Sequence, residues 1–402
     1  HLTYVLNFEV DKALLKKDII RLKFDYIDTY AKIILNGKEV AITKNDFRSY
    51  EFDVKKFLKK GINELIVEIE PIYQKWQAVN SDEFNILHSE KRAVFRKAAF
   101  QFGWDWAPRQ LAGEISFPVY LTFEDKKEYL RFASVQTEAI SEDKANMLLT
   151  LKSEFLKEEK YSIKLAYSTS GNETTTLDLG DLSLENSKDN ISLFRFNVEN
   201  PQLWFPNGYG NPTLYEATIY LYNKESICLD SVKTRFGIRT IELSQKKDKY
   251  GSEFCFIVNG KPIFAKGANL VPSAMHKERY EGMAKHIDLV KECNMNMLRV
   301  WGGGYYVDEQ MYEACDEKGI LIWQDFPFAC ALYPATKDYL AEVEAEARQN
   351  VLRISSHPSL AVWCGNNEIW EGWGNWSWDK EVKDTALAVK NYNTLFRELL
   401  PN

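Results

Sequence analysis

The chain has 402 residues and is short of the features that mark several protein classes. Its six cysteines (Cys228, Cys255, Cys293, Cys315, Cys330 and Cys364) form no Cys-x-x-Cys pair and no tight cluster. Such spacing argues against a zinc site or a disulfide framework and reads as mostly buried thiols. Positive charge is also scarce: 58 acidic residues outnumber 51 basic ones, for a net charge of −7. A nucleic-acid binder carries a basic stripe, so no nucleic-acid partner is expected. No apolar run approaches the roughly 20 residues that cross a bilayer, so no membrane insertion is expected. No signal-peptide pattern opens the chain. His1-Leu2-Thr3-Tyr4-Val5-Leu6 is already strand-like, which is not how a natural start reads.

What the chain does have is globular composition, with 45% hydrophobic and 27% charged residues, and enough length for two to four domains. Aromatics reach 14%, with 11 tryptophans, and Trp301, Trp323, Trp363, Trp370, Trp373, Trp376 and Trp378 crowd the last part of the sequence. Tryptophan fills cores, but it also offers flat apolar faces to sugar rings. Residues 1–124 alternate with period two, as in Ala31-Lys32-Ile33-Ile34-Leu35 and Glu64-Leu65-Ile66-Val67-Glu68-Ile69. Asn36-Gly37 is a two-residue hairpin signal, and Pro118 to Phe123 reads as a closing strand, so this region is expected to be a β-sandwich. Residues 125–243 repeat the pattern in Met147–Leu151, Tyr161–Leu165, Leu193–Val198 and Leu214–Tyr220, with polar turns at Lys157–Lys160 and Ser187–Asn190. That fits an immunoglobulin-like sandwich without its disulfide.

In residues 244–402 the rhythm changes. Ile263–Asn269, Asn296–Trp301, Ile320–Asp325 and Leu360–Cys364 read as strands. Helical faces follow: Tyr280, Met283, Ile287 and Val290; then Val307, Met311 and Ala314, stopped by Gly319; then Leu340, Val343, Ala347 and Val351; and last a helix near Asp384 to Leu400. Four β-α units with near-continuous apolar strands predict the first half of a (β/α)8 TIM barrel. The active site of such a barrel lies at the C-terminal strand ends. Those ends carry Lys266-Gly267-Ala268-Asn269, Arg299-Val300-Trp301, Trp323-Gln324-Asp325 and Gly365-Asn366-Asn367-Glu368. No histidine lies there and no metal spacing occurs, so neither metal nor cofactor is expected and carboxylate chemistry is favoured. Glu368 could donate a proton to a leaving oxygen, or it could merely cap the next helix, and the residue pattern leaves both open. Asp325 reads as a helix cap ahead of a rim ligand, Trp323 and Trp363 as structural, and His357 as a strand-entry residue. Trp301 could line a pocket or sit in the core, and Trp376 could belong to a packed tryptophan cluster.

Gly365-Asn366-Asn367-Glu368, after a strand entered by His357-Pro358-Ser359-Leu360, resembles the acid/base segment of glycoside hydrolase family 2. Asn259–Asn269, Asn294–Gly304 and Phe102-Gly103-Trp104-Asp105-Trp106-Ala107-Pro108 also match, and the four stretches together resemble the family's β-mannosidase branch. The resemblance covers nearly the whole chain in the family's domain order: sugar-binding-like jelly roll, immunoglobulin-like sandwich, barrel. It implies a retaining exo-acting glycosidase that removes terminal β-mannose, with Glu368 as acid/base. Asn367 would contact the sugar 2-hydroxyl, and Trp301 and Trp376 would line the pocket. Trp104, Asp105 and Trp106 would wall the cleft from the first domain, and Arg299 would orient a catalytic carboxylate.

The family's nucleophile, a second glutamate expected on the seventh barrel strand, has no counterpart within these residues. Nor do the family's opening strands. The expectation is a portion of a longer enzyme, whose open sheet edges would favour a homodimer if the chain stood alone. The expected partner is a β-mannoside oligosaccharide or glycoside. The alternatives are an exo-β-glucosaminidase, an endo-β-mannosidase or a non-catalytic carbohydrate-binding fragment. Relatives occur in several compartments, with periplasm or secretion expected ahead of the cytoplasm.

Overall fold

A computed structural model describes the chain apart from residues 1, 112, 126–127, 155, 157–159, 183–189 and 278–279, and describes residues 280–285 by backbone alone. The polar turns expected at 157–160 and 187–190 lie almost wholly outside the described residues, as do the side chains of Tyr280 and Met283. Among the described residues, no helix is long and apolar enough to cross a membrane.

The first module holds strands β1 (Leu2–Val10), β2 (Ile19–Phe24), β3 (Tyr30–Leu35), β4 (Lys38–Lys44), β5 (Tyr50–Asp53), β6 (Gly61–Ile69) and β7 (Val119–Glu124). They form two sheets, ordered β1-β6-β3-β4 and β5-β2-β7. Alternation sets the faces: Ala31, Ile33 and Leu35 of β3 and Leu65, Val67 and Ile69 of β6 point inward against Ile20, Leu22 and Phe24 of β2. Asn36 and Gly37 take φ of 51° and 75°, as a tight β3–β4 hairpin requires.

Period two does not run through the whole module. Between β6 and β7 the chain leaves the sandwich and forms short helical turns at Ile72–Ala78, Ser81–Phe84, His88–Val94 and Ala99–Phe102. Pro71 precedes the first of these, and the Asn80 side chain caps the second. The reason for the departure is tertiary. Ile86, Leu87, Ala93, Ala98 and Phe100 share one core with Leu298, Val300, Ile322, Phe328 and Tyr339 of the C-terminal region. Arg96 clamps the contact through two bonds to Glu346 of 2.9 and 2.7 Å, with both side chains buried.

The second module holds β8 (Tyr129–Ile140), β9 (Lys144–Glu154), β10 (Tyr161–Thr169), β11 (Thr175–Leu182), β12 (Ile191–Glu199), β13 (Tyr215–Tyr222) and β14 (Cys228–Phe236). Its antiparallel sheets are β12-β9-β8 and β11-β10-β13-β14, closed on Met147, Leu149, Leu151, Ile163, Leu165, Ile219 and Leu221. All six cysteines are free, but the expectation that they are mostly buried is wrong. Only Cys315 is buried; Cys228 and Cys293 are exposed, because Cys228 opens a sheet-edge strand and Cys293 follows the end of a surface helix.

A small antiparallel sheet follows, made of β15 (Ile241–Ser244), β16 (Cys255–Val258) and β17 (Lys261–Ile263). Next come β18 (Gly267–Leu270), β19 (Met297–Val300), β20 (Leu321–Asp325) and β21 (Leu360–Cys364), which pair in parallel and in chain order. The single strand expected over Ile263–Asn269 is thus two strands in different sheets. Asn296 breaks it: its side chain binds the Lys266 N–H at 2.8 Å and the Phe264 carbonyl at 3.0 Å, pinning a turn between them. Phe256, Val258 and Ile263 of the small sheet pack beneath Met297 and Leu321, closing the N-terminal end of the parallel sheet. Helices Tyr280–Glu292, Glu309–Lys318 and Lys337–Ile354 connect the parallel strands. Asp308 and Thr336 cap the second and third at their N-termini, and Gly319 at φ 70° ends the second.

Candidate active site

β20 and β21 deliver Asp325, Asn367 and Glu368 to one end of the parallel sheet. Asp325 is not a helix cap; Thr336 caps the next helix instead. The Asp325 carboxylate is fully buried and accepts from Arg299 Nη2 at 2.6 Å, Arg299 Nε at 3.2 Å, Trp323 Nε1 at 3.0 Å and the Gly302 N–H at 3.0 Å. Burial raises its pKa above the ordinary aspartate value, against the lowering pull of Arg299. Arg299 also donates to Asn367 Oδ1 at 2.7 Å and to Asn269 Oδ1 at 3.3 Å. Its bonds therefore go to protein, and it orients Asp325 and Asn367 without touching Glu368.

Asn367 is buried, and its Nδ2 donates to Glu368 Oε2 at 2.9 Å and to Cys330 Sγ at 3.3 Å. Its Oδ1 keeps one lone pair beyond the Arg299 bond, available to a hydroxyl donor. Glu368 occupies the N-cap position of the helix Ile369–Asn375, yet its side chain makes no capping bond. Its backbone takes a left-handed φ of 61°, which turns the carboxylate away from the helix axis to an exposed position. The Cys330 thiol gives Glu368 Oε2 a second donor at 3.3 Å. Burial, then the Glu368 carboxylate, push that thiol up to about 12, so it stays protonated and donates.

The aromatic wall comes from two modules. Trp104 and Ala107 close a four-residue turn through N–H···O bonds of 2.9 and 3.1 Å, putting Asp105 and Trp106 at its exposed tip. Trp301 meets Trp104 edge-on at 4.9 Å and Trp106 at 5.9 Å. A Cβ on Gly303 would come within 2.0 Å of the Trp301 ring, which is why glycine follows there. The Phe100 N–H donates to the Gly303 carbonyl at 3.1 Å, and Phe100 stacks on Trp106 at 5.5 Å. Trp301 is 7% exposed and Trp106 43%, so the free ring face belongs to Trp106, with Trp301 behind it. Trp376 is exposed but stands edge-on to Trp378 at 5.4 Å, and its described ring contact is with that neighbour alone.

Sequence reasoning gave no site role to Cys330, in an irregular segment, or to Arg92, in the short helical turn His88–Val94, and neither carries a strand-end signal. It named Asp325 but gave it the wrong part. A cavity of about 1670 Å3 lies between the second module and the helix Lys337–Ile354, but Glu368, Asn367, Trp104 and Trp106 do not line it. The candidate site is therefore the group of carboxylates and amide at the strand ends, apart from that cavity. Among the described residues, no cluster of three or more His, Cys, Asp or Glu side chains is placed to hold a metal ion.

The chain is similar in sequence and in fold to known glycosidases. The beta-D-mannosidase of Dictyoglomus thermophilum superposes with a TM-score of 0.86 at 33% identity, over 100% of this chain and 49% of its own. Beta-mannosidase B of Emericella nidulans is 34% identical over 88% of this chain and 42% of its own, and that of Aspergillus flavus is 34% identical over 97% and 45%. The chain thus spans less than half the length of these relatives. Residues 1–113 match the glycosyl hydrolase 2 galactose-binding domain-like family and residues 129–239 match glycosyl hydrolases family 2. With both modules matched and the relatives agreeing, the chain belongs to glycoside hydrolase family 2.

Proposed function

We propose that this chain carries the acid/base and the sugar-gripping wall of a retaining, exo-acting β-mannosidase. In this reading residues 1–124 are a sugar-binding-like jelly roll, 125–243 an immunoglobulin-like sandwich and 244–402 the first four units of a (β/α)8 barrel. The parallel strand order of β18 to β21 supports the last assignment. The observation that carries the function is Glu368, held at the end of β21 by Asn367 and Cys330 with its carboxylate exposed.

The chemistry follows from those contacts. Protonated Glu368 gives its proton to the glycosidic oxygen as the bond to the anomeric carbon breaks. A second carboxylate takes the anomeric carbon as a covalent ester, and Glu368 then removes a proton from the water that hydrolyses it. That nucleophile is expected on a seventh strand, past residue 402. Asn367 Oδ1 is placed to accept the sugar 2-hydroxyl, a bond that strengthens as positive charge grows at the anomeric centre. Asp105 accepts paired hydroxyls of the terminal sugar, and Trp106 covers its apolar face. A wall at that end suits removal of single terminal residues. The named relatives are beta-mannosidases, which favours mannose over glucosamine.

The test is Glu368→Gln in the full-length protein, assayed on phenyl and on 2,4-dinitrophenyl β-mannoside. Loss of a general acid costs roughly 10²- to 10⁴-fold in kcat/KM on the phenyl substrate and far less in kcat/KM on the dinitrophenyl one, whose leaving group needs no proton; kcat on the latter falls as well, because the same residue is the base for the water of the second step. Equal losses of kcat/KM on both would remove Glu368 from the acid/base role. Product anomer, read by NMR at early times, decides retention.

A further inference from the structure

Arg92 comes from the helical excursion of the first module, is buried, and makes contacts that no part of the proposed mechanism uses. Its Nη2 donates to the carbonyls of Ala329 and Cys330, both at 3.0 Å. Its Nε pairs with Glu90 at 2.7 Å, and its guanidinium lies 5.1 Å from the centre of the Trp104 ring. One side chain therefore touches both the aromatic wall and the segment beside the acid/base.

That segment is held in a conformation it would not choose alone. Cys330 has φ 42°, a left-handed value uncommon for a side chain of this kind. Its N–H donates to the Asn367 carbonyl at 3.0 Å, and the Asn367 N–H donates to Phe328 at 2.9 Å, so the 328–330 stretch extends the β20–β21 pairing. The Tyr333 hydroxyl accepts from the Ala329 N–H at 2.9 Å and from Arg92 Nη1 at 3.4 Å, and donates to the Ala329 carbonyl at 3.1 Å. On this fixed backbone the Cys330 thiol donates to Glu368 Oε2 at 3.3 Å while its sulfur accepts from Asn367 Nδ2 at 3.3 Å.

We infer that Arg92 is a positioning residue for Glu368, acting through the 329–330 carbonyls and the Cys330 thiol, and that docking of the first module thereby aligns the acid/base with the wall. This rests on the acid/base reading of Glu368. Without the guanidinium, the Cys330 carbonyl loses its described donor and the Ala329 carbonyl keeps only the Tyr333 hydroxyl at 3.1 Å, so the turn at Cys330 relaxes and the thiol no longer restrains the carboxylate. Lysine keeps the charge but not the planar fork that spans two carbonyls.

Arg92→Lys, Cys330→Ala and their double variant in the full-length protein, assayed on the two aryl β-mannosides, test the inference. Each single variant should lower kcat/KM on the phenyl substrate roughly 10-fold, through kcat more than KM, and change kcat/KM on the dinitrophenyl substrate less than about 3-fold. The double variant should lose no more than the worse single one, because both act along one path. Cys330→Ser, which restores a donor, should recover most of the loss. A structural role alone would lower both substrates equally by reducing the active fraction, and that result overturns the inference. If Glu368→Gln shows the leaving-group selectivity and these variants do not, only the inference falls. If Glu368→Gln lacks it as well, the acid/base reading itself has failed.

Discussion

The two ends of β21 carry similar residues and do different things. At its N-terminal end, His357 lies buried between two carboxylates, with Nδ1 2.6 Å from Asp316 and Nε2 2.9 Å from Glu309. The other Asp316 oxygen accepts from the Ser359 N–H at 3.0 Å, and the other Glu309 oxygen from Arg353 at 3.2 Å. The imidazole also stacks on Tyr312 at 5.3 Å. Both imidazole nitrogens and all four carboxylate oxygens of this cluster are engaged by protein groups. At the C-terminal end, Asp325 is saturated in the same way, but Glu368 is not. Both of its described donors go to Oε2, and the carboxylate reaches the surface. Charge alone would rank the histidine cluster first. The difference that matters is the unspent bonding capacity, because a group already satisfied by protein has little to offer a substrate.

That contrast can be broken by mutation. The largest expected effect is the Glu368→Gln loss of roughly 10²- to 10⁴-fold in kcat/KM on phenyl β-mannoside, with thermal stability unchanged, since the side chain supports nothing but the site. The opposite result is expected at the other end. Asp316→Asn should cost about 2 kcal/mol in urea unfolding, by weakening a charge-assisted bond to a buried histidine, while kcat per folded molecule stays the same. Loss of kcat without loss of stability there would erase the distinction.

The pH dependence sharpens the same point. Burial alone would lower the His357 pKa, but its bonds to Asp316 and Glu309 outweigh it and hold the pKa at about 9, above the ordinary 6.5. A raised folded value means the contribution is fully present below pH 6.5 and is lost as pH rises through 9. It is worth up to about 3 kcal/mol. Glu309 runs the other way: burial would raise its pKa, but the bonds to His357 and Arg353 leave it lowered. Its contribution is therefore present above the ordinary glutamate range and fades as pH falls below it. Stability measured by urea titration should decline on both sides of neutrality, and His357→Gln should flatten the alkaline decline. The smallest effect is expected for Trp106→Ala. Losing one exposed stacking face should raise KM about 3- to 10-fold with kcat little changed, read by steady-state kinetics.

Much of this was legible from residue order. Asn36-Gly37 marked its hairpin, Gly319 its helix end, and Leu360–Cys364 its strand, because each depends on contacts within a few residues. The excursion at 70–118 was not legible. Its backbone is stabilised by packing against residues more than two hundred positions away, so it has no periodicity of its own to read. Asp325 was misread for a similar reason: an aspartate before an irregular stretch looks like a cap until Arg299, Trp323 and Gly302 are seen to converge on it.

The sequence by itself determined the strand rhythm outside residues 70–118, the alternation of strands and helices in the C-terminal region, and the identity of the acidic group at the end of the fourth parallel strand. These follow from side-chain period and local turn chemistry, which act over short stretches of chain. Tertiary structure alone decided that Glu368 points away from the helix it begins, that Trp301 is covered while Trp106 is free, and that Arg92 reaches the carbonyls beside the site. Each of those outcomes depends on groups far apart in sequence meeting at about 3 to 6 Å, a distance that residue order does not encode.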